Sequence, residues 1–596
     1  MIYNIYHYIT KMSNPIQLFK DELGSIDISK RRESMKRLVD VAKAAGPDAA
    51  REKLIPFIQD RIDDDDEVLF EMATQMGELG GHVGGPDRAS ILLQPLEALC
   101  NVEETVVRDA AAQSICKIID ILPDQIAQGT AVPMVVRLAN GDWFTSKVSS
   151  CALVASAYAK SNGSGKQQLL QLFCTQLAKD DTPMVRRAVA KQLGAMSQVV
   201  EEQEQRAKLL PLYKEMVMND QNETVRLLAL EQSPTIAAAL KDVGFVLDVI
   251  KPQFQELSWR IRNSVTKGLG ELANACGKEM SISQLGPLFP PLLVDPEAEV
   301  RLTVCNQLVD FCNVIGAKEF RDICMPQLMT IAEQQDEDPR IKAAAANAIM
   351  VAGPQLGKDY LSSESVMPFM KRLVNQPGNA TEVTTKVLPH VDELIGNLNV
   401  ESIQSFCKDV LAKMLDPKEG FDWRARAAAA RALPRAAKEL QKGGVSPDTF
   451  FEKNKLFDAF LELLNDRVSE VREVCANAFG AFHEVLGVEW TTRVALPTIT
   501  DNLKNMSYLR RISSMKAITC LAKTGTELSS SILKLFHMGL QDKVPNVRVA
   551  ALMGMVDCWG NLRDTDTEEI ATTVKGMIDD EDDDVRTYAL QMTTLL

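Results

Sequence analysis

The stretch "DDTPMVRRAVAKQLG", residues 180–194, sets an acidic turn, a proline and a Val-Arg pair ahead of an apolar run, and its echoes decide the fold. The same spacing, Asp followed by Val or Ile five positions on and a basic residue at six, returns in "NDQNETVRLLAL", "VDPEAEVRLTV", "DEDPRIKAAA", "NDRVSEVREVC", "QDKVPNVRVAAL" and "DDEDDDVRTYAL". The acidic members are Asp180, Asp220, Asp295, Asp336, Asp466, Asp542 and Asp580. Their basic partners are Arg186, Arg226, Arg301, Lys342, Arg472, Arg548 and Arg586. Looser copies carry Arg108, Lys147, Arg262, Arg426 and Arg511. Basic positions 108, 147, 186, 226, 262, 301 and 342 then lie 36 to 41 apart, and 472, 511, 548 and 586 lie 37 to 39 apart.

A second signal is a proline inside an apolar stretch just upstream, in "LIPFI" (Pro56), "LQPLEAL" (Pro95), "VPMVVRL" (Pro133), "LLPLYKEM" (Pro211), "IKPQFQEL" (Pro252), "MPQLMTI" (Pro326), "MPFMKRL" (Pro368) and "LPTITDNL" (Pro497). Apolar residues there recur at i, i+3 and i+4, so each proline should kink or begin a helix. One unit reads as helix, acidic turn, Val-Arg, second helix. A period near 39 with two helices per unit is the HEAT signature. A helical hairpin cannot bury its apolar face alone, so hairpins stack on one continuous core. The expected fold is all-α, an α-α superhelix (solenoid) of about fifteen tandem HEAT repeats, horseshoe-shaped. At equivalent turns, an Arg can bridge to the Asp of its own or the neighbouring turn, forming a ladder that sets stacking geometry.

Composition agrees with a packed helical chain: 46% apolar, 25% charged and 6% aromatic residues. No apolar run has the roughly 18 residues of a membrane span, and "MIYNIYHYITK" lacks the pattern of a secretory signal. The expected compartment is the cytoplasm, with the nucleus a second possibility. A net charge of −15 argues against nucleic acid as a partner. The twelve cysteines form no C-x-x-C pair and read as reduced, buried thiols. The five histidines are scattered, with no metal-ligand spacing. "SNGSGK" at 161–166 lacks the glycine and hydroxyl positions of a phosphate loop and reads as an inter-repeat loop. The acidic runs at 63–67 and 579–584 lack the central glycine of a calcium loop. No catalytic site, metal or cofactor is expected, and the chain should not be an enzyme.

Large aromatics occupy equivalent turns. Trp143 lies four residues before Lys147, while Trp259, Trp423 and Tyr508 lie three before Arg262, Arg426 and Arg511. Trp, Tyr and Arg most often carry interface energy, so the turns read as a protein-binding ridge with two separated clusters. The alternative at each turn is a Trp folded back over its own helix. Trp490 and Trp559 sit in helical segments and read as core.

"GDWFTSK", "DDTPMVRRA", "VEETVVRDAA", "SWRIR", "DWRAR" and "VGGPD" resemble, in the same order and register from about residue 13 to the end, the scaffold (A, structural) subunits of serine/threonine protein phosphatase 2A. The resemblance implies that repeats about 1–10 (residues 13–397) hold an interchangeable regulatory subunit, while repeats about 11–15 (398–596) hold the phosphatase catalytic subunit, in a heterodimer or heterotrimer. Carried over by motif, the regulatory side comprises Glu103, Glu104, Trp143, Phe144, Asp181, Thr182, Pro183, Met184, Arg187, Trp259 and Arg260. The catalytic-subunit side comprises Trp423, Arg424, Tyr508, Arg510 and Arg511. Residues 1–12 are an extension, disordered or a misassigned start. "NQPGNATEVTTK" has lost its Val-Arg mark, and "QKGGVSPDTFFEKN" should lengthen the turn region before residue 455. The rival reading is another HEAT adaptor, such as an importin-like carrier that binds on its inner helical face.

Overall fold

The computed structural model describes residues 15–240, 243–378, 381–562 and 568–596; the extension at 1–12 lies outside them. They fall into two compact units, up to Met280 and from Ser281 onward. That division is one of packing and lies well before the 397/398 junction, which divides the chain by expected partner.

In both units helices alternate between two roles. In the first, the second helices Thr105–Ile121, Phe144–Ala159, Pro183–Val199 and Glu223–Glu231 pack one on the next, each also backed by the first helix of its own hairpin, such as Asp124–Ala139 or Leu210–Met218. In the second unit, Ala298–Ile315 packs on Pro339–Leu356. Further on, Trp423–Lys442, Ser469–Trp490, Tyr508–Ala522, Pro545–Cys558 and Asp583–Thr593 form a continuous stack. This is the α-solenoid expected from the period. Among the described residues no helix is long and apolar enough to cross a membrane.

The Val-Arg mark divides its labour by burial. Val107, Val185, Val225, Ile261, Val300, Ile341, Val471, Val547 and Val585 are all fully buried. Each therefore contributes about 1.5–3 kcal/mol of transfer free energy while fixing the first turn of its helix in the core. The next residue, one hundred degrees or so further round the helix, lies against the turn, part-buried as at Arg186 or buried as at Arg108, Arg426 and Arg511. Trp490 and Trp559 are core, as expected, and the Trp559 indole donates to Leu595 O at 2.9 Å.

Three prolines of the first helices share one local geometry. Proline lacks an N–H and its ring crowds the carbonyl four residues back. The chain widens just before Pro56, Pro211 and Pro497 into one π-turn, over Ala50–Leu54, Gln205–Leu209 and Thr491–Ala495. There the N–H of the residue preceding proline reaches five residues back: Ile55 to Ala50 O, Leu210 to Gln205 O and Leu496 to Thr491 O. Pro133 is instead carried inside the helix Asp124–Ala139.

Two segments differ from the repeat. At the tenth unit the missing mark is replaced by a capping box, Thr381 and Thr384 each bonding the other's backbone N–H. Beside it, Gly378 N–H donates to Gly420 O at 3.0 Å, with φ of 107° and 75° at those two glycines, which other residues rarely adopt. The turn expected to lengthen before residue 455 does so only over 443–446, between the helices ending at Lys442 and beginning at Pro447. The inserted residues break the first helix into Pro447–Lys453 and Leu456–Glu462 at Lys455, the one non-glycine with positive φ among the described residues (55°). Likewise 161–166 is more than a loop, since a helix starts at Gly163.

Candidate functional site

The turns are built by one reciprocal device. In the fifth hairpin Asp180 Oδ1 accepts from Thr182 N–H at 2.9 Å, closing the turn on itself. Arg186 then donates through Nη1 to the carbonyls of Asp180 and Asp181 (2.9 and 3.2 Å), and through Nε and Nη2 to the Asp220 carboxylate of the next turn (2.8 and 3.1 Å). Asp180 in turn receives Lys147 from the turn before, at 2.9 Å. The ladder thus has a direction: where the step is complete, as at Arg186, the cation grips backbone in its own turn and carboxylate in the following one.

The same step joins Arg31 to Asp64, Arg426 to Asp466, Arg511 to Asp542 and Arg548 to Asp580, at 2.6–2.9 Å. Arg472 and Arg586 hold their own turns through Asp466 O and Asp580 O. Two expected members are corrected. Arg301 pairs with Glu337, not Asp336, in a fork of 2.9 and 2.7 Å, because Glu337 is the carboxylate turned inward (5% side-chain exposure). Lys342 reaches only Gln335 O, at 3.3 Å. Arg226 forms no ion pair among the described residues; the next turn carries Glu256 where Asp180, Asp220, Asp295, Asp336, Asp466, Asp542 and Asp580 stand in theirs. Asp295 closes its turn on Glu297 N–H at 2.9 Å.

Burial raises the carboxyls of Asp180, Glu337 and Asp580, but the hydrogen bonds from Lys147, Arg301 and Arg548 and from the turn N–H groups more than reverse this, and each titrates below its ordinary value. A carboxyl depressed on folding stabilises fully above its unfolded pKa of about 4, and loses that contribution as pH falls through the folded value. Acid should therefore loosen the stacking. Denaturant midpoints are expected to be flat from about pH 7 to 5 and to fall below about pH 4; a midpoint that rises on acidification would contradict the ladder's role.

The locked carbonyls have a consequence on the outer side. At several turns where Arg Nη1 holds the carbonyl five residues before it, that residue's side chain is turned away from the protein. Ile26, Leu257 and Met506 occupy this place before Arg31, Arg262 and Arg511, with exposures of 98%, 96% and 90%. Sequence reasoning missed all three, since single aliphatics in turns have no period; the signal was their fixed offset from the basic mark. Phe421, at the same offset before Arg426, is buried.

The aromatic turns differ from one another. Trp143 is 75% exposed and does not fold back over its helix; Phe144 and, on the next turn, Met184 are also exposed. Trp143 is held at the helix start by Ser146 Oγ, which donates to its carbonyl at 2.8 Å. A Cβ on Gly141 would overlap that Ser146 hydroxyl. Gly141→Ala is expected to cost about 1–3 kcal/mol and to displace Trp143, read as a change in its indole fluorescence; an unchanged spectrum and stability would show the turn to be looser than this. Trp259 and Trp423 are half-buried, each with the next arginine stacked on its ring: Arg260 at 4.8 Å and Arg424 at 4.4 Å. Glu103, Glu104 and Asp181 are exposed, Thr182 and Pro183 half-buried, and Arg187 is spent on Asn222 Oδ1 at 3.3–3.4 Å and Met184 Sδ at 3.3 Å.

In the second unit Trp423 borders a groove of about 980 Å³ with Pro417, Leu456, Val468 and Arg510, floored by the Arg426–Asp466 pair. Tyr508 and Leu509 stand exposed beside it. Arg511 does not belong to this open surface. It is 4% exposed, with Asp542, Asn505 O and Met506 O taking its guanidinium, because it is the ladder cation of its turn. Among the described residues no three of His, Cys, Asp and Glu converge as a metal site.

The HEAT repeat family matches at residues 169–200 and 456–486. Among characterised proteins the chain is 36% identical over 270 residues to the regulatory A subunit of protein phosphatase PP2A from Schizosaccharomyces pombe, covering 45% of this chain and 46% of that one. It is 32% identical over 382 residues to the beta isoform of the human serine/threonine-protein phosphatase 2A 65 kDa regulatory A subunit, covering 63% of each. It is also 40% identical over 201 residues to the protein phosphatase 2A scaffold subunit of Dictyostelium discoideum, covering 34% of each. The aligned segments thus span from a third to under two thirds of these relatives. A solved structure of Kap95p with RanGDP superposes with a TM-score of 0.59 at 13% identity, covering 99% of this chain and 72% of that one; that likeness is one of fold.

Proposed function

Since this chain is a HEAT-repeat relative of the A subunits of protein phosphatase 2A, we propose that it is a non-catalytic scaffold whose turn ridge holds together two partners, a phosphatase catalytic subunit with an interchangeable regulatory subunit. The observation that carries the ridge as the binding face is Trp143, three-quarters exposed in a turn where Ser146 Oγ holds its carbonyl. A large aromatic left in water is poorly placed for the chain alone and well placed for a partner. The regulatory side centres on Trp143, Phe144, Met184 and Trp259, and the catalytic-subunit side on Trp423, Arg424, Tyr508 and Arg510. Arg187 acts through its neighbours Met184 and Asn222.

The function follows from tethering. Two partners on one ridge meet at an effective concentration near about millimolar in favourable cases, so the regulatory partner brings substrate to the phosphatase without the scaffold touching the phosphoryl group. The test is capture from native extract by wild type, Trp143→Ala and Trp423→Ala, scored for serine/threonine phosphatase activity and co-purifying proteins. The reading requires wild type to retain the activity, Trp423→Ala to lose it, and Trp143→Ala to keep it while losing another protein. Absence of phosphatase from the wild-type capture would refute it and bring forward an importin-like adaptor.

A further inference from the structure

The chain contains two Asn-Gly steps, Asn140-Gly141 and Asn162-Gly163. In such a pair the following backbone nitrogen can attack the carboxamide carbon with no Cβ in its way. The covalent surroundings are alike, and the structural ones are opposite. Asn140 is locked three times: its Nδ2 donates to Val136 O at 2.8 Å, its Oδ1 accepts from Gln176 Nε2 at 3.0 Å, and Gly141 N–H donates to Leu138 O at 3.2 Å. Asn162 is exposed, with extended backbone (φ −131°, ψ 168°) ahead of the helix Gly163–Gln171, and its side chain makes no cap hydrogen bond. Among the described residues only its main chain is engaged, N–H to Gln128 Oε1 at 3.3 Å and carbonyl to Gly165 and Lys166 N–H. The attacking Gly163 N–H has no acceptor among the described residues.

We propose that Asn162 is a site of spontaneous deamidation in the folded protein and that Asn140, beside the exposed Trp143, is protected. The Gly163 nitrogen bonds to Asn162 Cγ, its proton leaves with the carboxamide nitrogen as ammonia, and a cyclic imide closes. Solvent water then adds to either imide carbonyl and opens the ring to aspartate or isoaspartate; no electrons are transferred. Aspartate at 162 places a carboxylate at a helix start, where open N–H groups favour it. Isoaspartate lengthens the main chain by a methylene there and pulls the 162 carbonyl away from Gly165 and Lys166. The change therefore acts at the joint between the fourth and fifth hairpins, through the Gln128 contact, and leaves the aromatic turn intact.

The test is peptide mapping of the full-length chain incubated at mildly alkaline pH, with isoaspartate resolved from aspartate. Each hydrogen bond is worth a factor of about five, so Asn140 should convert at least about tenfold more slowly than Asn162. In denaturant the two rates should converge. Gln176→Ala, at an exposed position, removes one lock and should speed Asn140 several-fold while leaving Asn162 unchanged. Equal rates in the folded chain, faster conversion at Asn140, or a difference that survives in denaturant would each overturn the proposal.

Discussion

Arg426→Ala is expected to destabilise the second unit by about 3–5 kcal/mol, the largest single-residue effect outside the apolar core. Arg426 and Asp466 are each 7% exposed at the side chain and form a fork of 2.6 and 3.2 Å, with Arg426 also donating to Phe421 O at 3.0 Å. Removing the arginine leaves a carboxylate buried without its cation and a turn carbonyl without its donor, and both losses exceed the worth of the pair itself. Lys516–Glu473 is the control: it bridges neighbouring second helices at 3.0 Å but is half exposed at both ends, and Lys516→Ala should shift stability by less than about 1 kcal/mol. Because stacked repeats need not unfold in one step, the measurement is hydrogen exchange resolved over residues 416–470. Equal protection in the two variants would mean that packing, not the ladder, sets the stacking there. Restoration of protection in Arg426→Ala/Asp466→Ala would locate the cost in the orphaned carboxylate.

Trp423→Ala is expected to weaken the proposed phosphatase catalytic partner by about thirtyfold or more, the range of a central interface residue, while leaving the fold almost untouched. The tryptophan is half in water, stacked under Arg424, and lies at the rim of the groove and not under it. Arg424→Ala should cost less alone, and the two losses should not add, since each holds the other in place. Titration of the purified partner onto wild type, both single variants and the double variant measures this directly. Additive losses would show the stack to be incidental. Trp143→Ala, in the other unit, should leave this affinity unchanged; a matching loss there would mean that one partner spans both clusters.

The fold was legible because repetition multiplies a weak signal. One Val-Arg pair means little, but a buried Val at 185 and again at 225, 300, 471, 547 and 585 marks the core side of each second helix. The ladder was legible in kind and not in detail. Spacing cannot say whether Arg186 reaches Asp180 or Asp220, and it takes the carbonyl of one and the carboxylate of the other. Nor can it choose between adjacent carboxylates, so Asp336 was favoured where Glu337 turns inward. Arg511 was carried over by resemblance to the partner side although it is also one of the basic marks, and its grip on Asn505 O and Met506 O is that of a ladder cation. The segment "QKGGVSPDTFFEKN" was read as added turn, of which 443–446 is turn and Pro447–Lys453 is helix, since an insertion in sequence does not show which side of a helix boundary absorbs it. The aromatic turns were found by position alone; that Trp143 projects while Trp259 and Trp423 lie half-covered depends on ring stacking by the next arginine, present at the latter two.

The carbonyl grip of the ladder arginines also separates two kinds of change that most proteins must make together. At positions 26, 257 and 506 the main chain is fastened from below, and the side chain above touches almost nothing of its own molecule. Such a position is like movable type: the body that sits in the frame is standard, and the face is free to differ. A lineage could recut one face after another, acquiring or shedding partners, with each intermediate as well folded as the last.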